Sequence, residues 1–262
     1  MKDLIDEKLT NTECFNWQGA YTLFLRETAR FLKVFNQTIL STVVSSLTLF
    51  AVLFIIHKYN NNKEIINLTA CGLLLRIGLI SSFDNTSSVI ISKVLGYITD
   101  ILFPPLSARE ILSAFILAAL IRALISFSIF YICILFFCNI SFYSVLTASY
   151  FFFLGCISFA ILGILTGIMS DTFEESSVIS SYIIQPASLL SCTLYPITSM
   201  PDKIKFLAYY NPLFYLNEGF RYGCLGHCHA NIKTCIIITL ILPIILLPIV
   251  HIAWNKGYGI KN

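Results

Sequence analysis

Four residues near the end of the chain have the types that a soft metal needs. Cys224, His227, Cys228 and His229 place two thiols and two imidazoles within one short segment, and such ligands hold zinc or copper. The spacing misses the Cys-x-x-Cys-His pattern of haem attachment, and no second ligand cluster accompanies it. Loop packing is therefore the reading kept, with a metal centre as the alternative. Glu218 and Arg221 stand three apart, the spacing of an ion pair on one helix face. Arg76, Asp84, Asp100 and Arg122 are ionisable groups in or beside long apolar stretches. Charges at that depth face a bundle interior or a water-filled cavity, so Arg76 and Arg122 either line a pathway or make intramembrane pairs. Asp171, Glu174 and Glu175 crowd one short turn. No Gly-x-Ser-x-Gly elbow and no His-Glu-x-x-His pair is present. The phosphate loop Gly-x4-Gly-Lys-Ser/Thr is also absent, so this chain lacks that route to nucleotide hydrolysis.

The elements that position these residues follow from the spacing of charge. No Asp, Glu, Lys or Arg occurs from Val34 to Ile56, from Ala123 to Ser170, or from Thr234 to Asn255. About 20 uncharged apolar residues cross a bilayer as one helix. The 262 residues are 57% hydrophobic and only 12% charged, about half the charge of a soluble domain. Backbone groups in lipid must bond internally, which predicts helices, and no alternating barrel pattern is visible. The fold class expected is an all-α polytopic membrane protein with six spans, at about 36–56, 65–88, 110–136, 143–168, 177–195 and 233–254. The chain divides into an N-terminal segment 1–35, a single membrane domain 36–254 and a tail 255–262. The first 30 residues read as free of a cleavable signal. Nine basic residues lie on the side of the termini and six opposite, which favours cytoplasmic termini. A net charge of +3 without a basic patch argues against nucleic-acid binding. The nine cysteines are scattered, several within spans, and form no disulfide framework.

Three segments outside the spans carry a pattern of their own. Residues 17–35 read as an amphipathic helix. Trp17, Tyr21, Phe24, Leu25, Phe31, Leu32 and Phe35 repeat at helical spacing, and Arg26, Arg30 and Lys33 share another face. That combination suits the lipid interface, the alternative being a mere extension of the first span. Residues 91–103 read as a second amphipathic helix, with Ser92, Lys93, Thr99 and Asp100 on its polar face and Pro104-Pro105 as its end. Ser107 and Glu110 then form a capping box for the third span. The helix is either a docking element for a soluble partner or a connector resting on the membrane. The loop 196–232 is rich in aromatics and has two helix starts, at Pro201 and at Asn211-Pro212. Helices so short and so aromatic suit a re-entrant pair, against an ordinary solvated loop.

These three segments, in this order, resemble the membrane subunit of ABC type-2 exporters. One motif runs from Ser81-Ser82-Phe83-Asp84-Asn85 through Ser92-Lys93-Val94-Leu95-Gly96-Tyr97 and Asp100-Ile101-Leu102 to Pro104-Pro105. The other runs from Tyr195-Pro196-Ile197 through Asn211-Pro212-Leu213-Phe214-Tyr215 to Glu218-Gly219-Phe220-Arg221-Tyr222. The resemblance implies a permease with six spans and both ends cytoplasmic, without cofactor of its own, that pairs with an ATP-binding subunit carrying ATP and magnesium. It implies a homodimer in contact with membrane lipids. It makes 91–103 a coupling helix, with Ser92, Lys93, Gly96, Tyr97, Thr99 and Asp100 toward the ATPase. It makes Asp171, Glu174 and Glu175 a second contact with it. Asn211, Pro212, Tyr215, Glu218 and Arg221 would belong to a re-entrant gate at the outer mouth. The family's cargo includes lipid-linked polysaccharides, lipids and drugs, and no residue chooses among these amphiphiles. The alternatives are an ion-coupled secondary transporter, which would call for more deep charges and often a repeat, and a membrane metal-handling protein.

Overall fold

In the computed structural model the described residues are 15–59, 62–94, 96, 106–138, 140 and 142–255. Among them every regular element is helical. Helix α1 covers Trp17–Lys33, and α2 covers Ser41–Tyr59 behind a π turn at Asn36–Leu40. Helices α3 (Lys63–Phe83) and α4 (Thr86–Val94) follow, then α5 (Ala108–Leu135) and α6 (Val145–Met169). The next helix is broken: α7 (Phe173–Ile179), a π turn at Ser180–Ile184, and α8 (Gln185–Leu190). Two short helices, α9 (Asp202–Tyr210) and α10 (Pro212–Leu225), precede the last long one, α11 (Ile232–Asn255).

Among the described residues five helices are long and apolar enough to cross a membrane: Asn36–Tyr59, Glu64–Val94, Ala108–Leu135, Val145–Met169 and Ile232–Asn255. They coincide with five of the six expected spans. The segment expected as the fifth span, 177–195, is not among these five; it is helical through α7 and α8, with the π turn inside it. Pro186 explains the break, because it has no N–H for the Tyr182 carbonyl. The ladder adjusts by one residue, and the Gln185 N–H bonds back to Ser180, five residues earlier.

Burial sorts the bundle. The segment Glu64–Val94 and α6 bury 83% and 72% of their apolar windows, whereas α2 and α11 bury 22% each. Helices α3 and α6 are thus the axle, and α2 and α11 form its rim. One apolar cluster fills the middle around Leu74, Phe130, Phe151 and Phe159. A second lies at the end where α1, α5 and α11 meet, around Phe115, Ile164 and Trp254. A third, around Cys192, Ile197 and Phe214, packs the opposite end under α9 and α10. Close approach of α10 to α6 depends on Gly223, where a Cβ would fall 2.5 Å from the Ala148 nitrogen. Across that contact the Tyr143 and Ser144 N–H groups donate to the Cys224 and Gly223 carbonyls at 3.2 and 2.9 Å.

The capping box expected at the third span is present, with the Ser107 N–H donating to Glu110 Oε2 at 2.7 Å. The other Glu110 oxygen accepts the Asn16 N–H at 2.5 Å, and Asn16 in turn caps α1 through the Gly19 N–H. One buried carboxylate thereby starts two helices. Helix α1 turns differently from the face read in its sequence. Ala20, Leu23, Glu27 and Phe31 are its buried residues, while Trp17 is 76% exposed and Tyr21 60%. Glu27 is the residue the periodicity could not place: it is buried against Arg30, 3.0 Å away. Trp17, Tyr21, Leu25 and Leu32 are left facing outward, where amphipathic rings meet lipid headgroups.

Candidate functional site

Of the segment read as the coupling helix, 91–103, only residues 91–94 and 96 are described. Helix α3 ends at Phe83, Asp84 and Asn85 make a turn, and α4 runs Thr86–Val94, with Gly96 at φ +74° past its end. Tyr97, Thr99, Asp100 and the Pro104-Pro105 terminator lie outside the described residues. The Ser92 hydroxyl is buried and donates back to the Ser88 and Val89 carbonyls. Lys93 is engaged as well. Its ammonium donates to the carbonyls of Ile168 and Ser170, at 3.0 and 2.6 Å, and to Asp171 Oδ1 at 3.1 Å. A cation on the last carbonyls of a helix satisfies them and meets the negative end of its dipole. Lys93 thus fastens α4 to the end of α6. Glu175 folds back to accept the Asp171 N–H, and Thr172 caps α7, so the acidic turn is ordered by its own bonds, with Glu174 exposed.

A belt of small polar groups holds the α3–α4 turn against its neighbours. The Ser82 hydroxyl donates to the Cys156 carbonyl at 2.7 Å, and Ser81 meets the Ser126 hydroxyl at 2.8 Å. The Asn85 amide donates to the Phe115 carbonyl at 3.1 Å. Arg122 lies 3.5 Å from Asp84, which makes it half of an interhelical pair. Arg30 of α1 reaches the Ser88 carbonyl in the same region. None of these long-range partners is visible from spacing within a single helix.

Arg76 differs from the other deep arginines. Its partners are the Gln185 amide oxygen, 2.6 Å from Nη2, and the Ser188 hydroxyl, 3.2 Å from Nε. Both sit on α8, just past the π turn. A cavity of about 250 Å³ opens lower on the same broken helix, between Ser176, Ser177, Ser180 and Ser181 on one side and Phe83, Asp84 and Ile90 on the other.

At the opposite end, Arg221 and Glu218 of α10 form a buried pair, 2.8 Å apart, with 2% and 0% of their side chains exposed. Arg221 also donates to the carbonyls of Cys192, Thr193 and Tyr195, the turn that closes α8. Asn217 donates to Ser191 and Asn211 to Ala187, while Thr69 of α3 donates to Leu194. Glu218 Oε2 accepts the His229 N–H at 2.7 Å, tying in the loop that leads to α11. Asn211 caps α10 through the Leu213 N–H, with Pro212 at the first helical position as its sequence suggests. Tyr215 packs beside Phe214 with rings 5.3 Å apart.

The arrangement is a polytopic bundle with two buried polar joints and a broken helix between them. A family model described as ABC-2 type transporter matches residues 18–225. The chain belongs to the ABC-2 type transporter family. It is 22% identical over 259 residues to the inner membrane transport permease YadH of Escherichia coli, covering 94% of this chain and 98% of the relative. It is equally similar to the protein of the same name from Shigella flexneri. As an ABC-2 permease it is a membrane component of a transport system. The matched region contains both polar joints and the whole of α7 to α10.

Within this permease, the Cys/His segment is organised by bonds of its own. Cys228 Sγ donates to the Ala230 carbonyl, the His227 ring bonds the Leu225 carbonyl, and Cys224 is buried in the last turn of α10. Burial, reinforced by the negative Glu218 carboxylate, pushes the Cys228 thiol up, away from the thiolate that ligates metals. Among the described residues no three His, Cys, Asp or Glu side chains group as a metal site.

Proposed function

We propose that this permease forms the membrane pathway of an exporter and is driven by a separate ATP-binding subunit that carries ATP and magnesium. Two copies assemble around the pathway, with their termini on the cytoplasmic side and their rim in contact with lipid. The observation that carries this reading is the joint at Lys93. An element at the cytoplasmic end of α3 is fastened to the end of α6, beside the turn that begins the broken helix. A push on the segment after Gly96 would therefore reach α3, α6 and α7 together. ATPase contact falls to Gly96, Tyr97, Thr99 and Asp100, since Ser92 and Lys93 are engaged within the chain. Asp171, Glu174 and Glu175, exposed on the neighbouring turn, supply the second contact. Helices α9 and α10 form a re-entrant gate at the outer mouth, built on Asn211, Pro212, Tyr215, Glu218 and Arg221, of which Asn211 and Arg221 bond α8 and the turn after it.

The test is co-expression with an ATP-binding cassette protein encoded beside the chain, followed by purification through a tag on the permease. Wild type should retain the ATPase, and Asp100→Arg should release it while still inserting in the membrane. Failure of every such ATPase to associate with wild type would overturn the reading.

A further inference from the structure

Among the described residues three arginines lie deep in the bundle, and two are neutralised: Arg122 by Asp84 and Arg221 by Glu218. Both of these side chains are nearly fully buried. Among the described residues Arg76 meets an amide and a hydroxyl and no carboxylate, and it is partly exposed. It sits 13 residues into α3, about 5 Å from the middle of that helix at 1.5 Å per residue. A guanidinium presents five N–H donors in a rigid fork, and Ser188 and Gln185 occupy two of them. A cation in hydrocarbon without a counter-charge is costly and marks a functional position.

The broken helix is built to serve this position. Within an α-helix, Ser176 and Ser180 share a face, four residues apart. Continuing that spacing would bring Ile184 to the same face. The π turn adds one residue, so that Gln185 follows Ser180 at a five-residue step. Ser188 and Ser191 continue the stripe, and Ser191 donates to the Ser188 carbonyl. The result is a polar line, Ser176, Ser180, Gln185, Ser188 and Ser191, that leads from the cavity beside Asp84 past Arg76. Its outward neighbours Tyr182 and Ile183 are exposed and apolar.

We infer that Arg76, with Gln185 and Ser188, is a binding site for the anionic headgroup of a membrane-borne amphiphile that the permease carries. A phosphate or carboxylate accepts the free edge of the guanidinium fork bidentately. The polar stripe solvates the headgroup along its course, and the apolar tail stays in lipid. This rests on the permease reading and narrows its substrate to anionic amphiphiles.

The experiment uses the purified full chain in maltoside micelles. Binding of dodecyl phosphate, dodecyltrimethylammonium and inorganic phosphate is measured by isothermal titration for wild type, Arg76→Gln and Arg76→Lys. Wild type should bind dodecyl phosphate at least about tenfold more tightly than the cationic amphiphile, the worth of one charge-assisted bond. Arg76→Gln should abolish the preference, and Arg76→Lys should keep part of it. Equal binding of the two amphiphiles by wild type overturns the inference without needing any variant to fold. So does a preference that survives in Arg76→Gln, or inorganic phosphate binding as tightly as its dodecyl ester. A last arm measures phosphatidylglycerol co-purifying with each variant. Stoichiometric lipid lost in Arg76→Gln, and not displaced by dodecyl phosphate, would assign the position to a structural lipid and overturn carriage. Titration on the chain alone is independent of the ATPase pull-down, so failure of one is separable from failure of the other.

Discussion

The pair at the far end of the bundle makes a quantitative prediction. Replacing Arg221 by Met keeps an unbranched apolar stem and removes the guanidinium and its charge. Glu218 then remains as a carboxylate with no exposed surface, held only by the His229 N–H. Breaking a buried pair from one side costs about 3–5 kcal/mol. The carbonyls of Cys192, Thr193 and Tyr195 also lose their donor, at about 1 kcal/mol for each that stays dry. Polar groups of the unfolded chain in a membrane find other partners, which reduces the observable cost to about 3 kcal/mol. For a chain of this size that is about 6–12 °C in midpoint. Glu218→Gln should cost less, because Arg221 keeps its carbonyl partners. The double variant Glu218→Gln plus Arg221→Met removes both charges and should recover at least about 1 kcal/mol relative to Arg221→Met alone. The assay is the fraction of monodisperse protein left after heating detergent-purified variants. If Arg221→Met stays within about 2 °C of wild type, or the double variant is less stable than both singles together predict, the pair does not hold this end of the bundle.

Three further outcomes follow from the joints. Lys93→Met should loosen the end of α6, seen as faster amide exchange at residues 167–171, whereas Asp171→Asn should change little because Asp171 is 61% exposed and the carbonyls hold the ammonium without it. Gly72→Ala should lower yield and midpoint sharply, because its Cβ would fall 2.1 Å from the Thr193 carbonyl oxygen, a backbone atom; normal behaviour in the same heating assay would mean that α3 and the Thr193 turn do not touch. Deleting Ile183, exposed within the π turn, should convert that turn to α-helix and keep Ser180 and Gln185 on one face; the deletion should fold, whereas deletion of Ala160 within α6 should not, as judged by monodisperse yield.

How much of this was legible in the chain depends on the range of the forces involved. The spans 36–56, 110–136, 143–168 and 233–254 were readable because apolar length is a local property. So were the Ser107–Glu110 box and the Asn211-Pro212 start, since caps act within one turn. The break in α7–α8 was not readable from hydropathy, because Pro186 alters one carbonyl while the apolar content stays high. The turn at Asp84 and Asn85 was not readable, because the Asn85 amide is bound to the Phe115 carbonyl in another helix. Arg122 and Arg76 could not be told apart by position in their spans. Only the fold shows that one meets Asp84 and the other meets Gln185 and Ser188. Lys93 looked like a surface cation for the same reason, and its partners lie 74 to 78 residues away.

The distribution of these bonds argues for which parts move. Helices α3, α4, α5 and α6 are fastened side chain to backbone at Ser82, Asn85 and Lys93, so shifting one against another would strand buried polar groups. They are expected to move as one body. The α7–α8 helix is fastened at its ends, by the acidic turn and by Arg221, and between them Arg76 grips Gln185 and Ser188 while the Asn211 amide donates to the Ala187 carbonyl. Its middle is a π turn, where the ladder has already given up its ordinary register. An anion on the free edge of the Arg76 guanidinium would draw it away from Gln185 and Ser188 and so loosen that part of the grip. Binding and helix movement would then be coupled through a single side chain, with the differential contact energy that any ligand-driven shift requires.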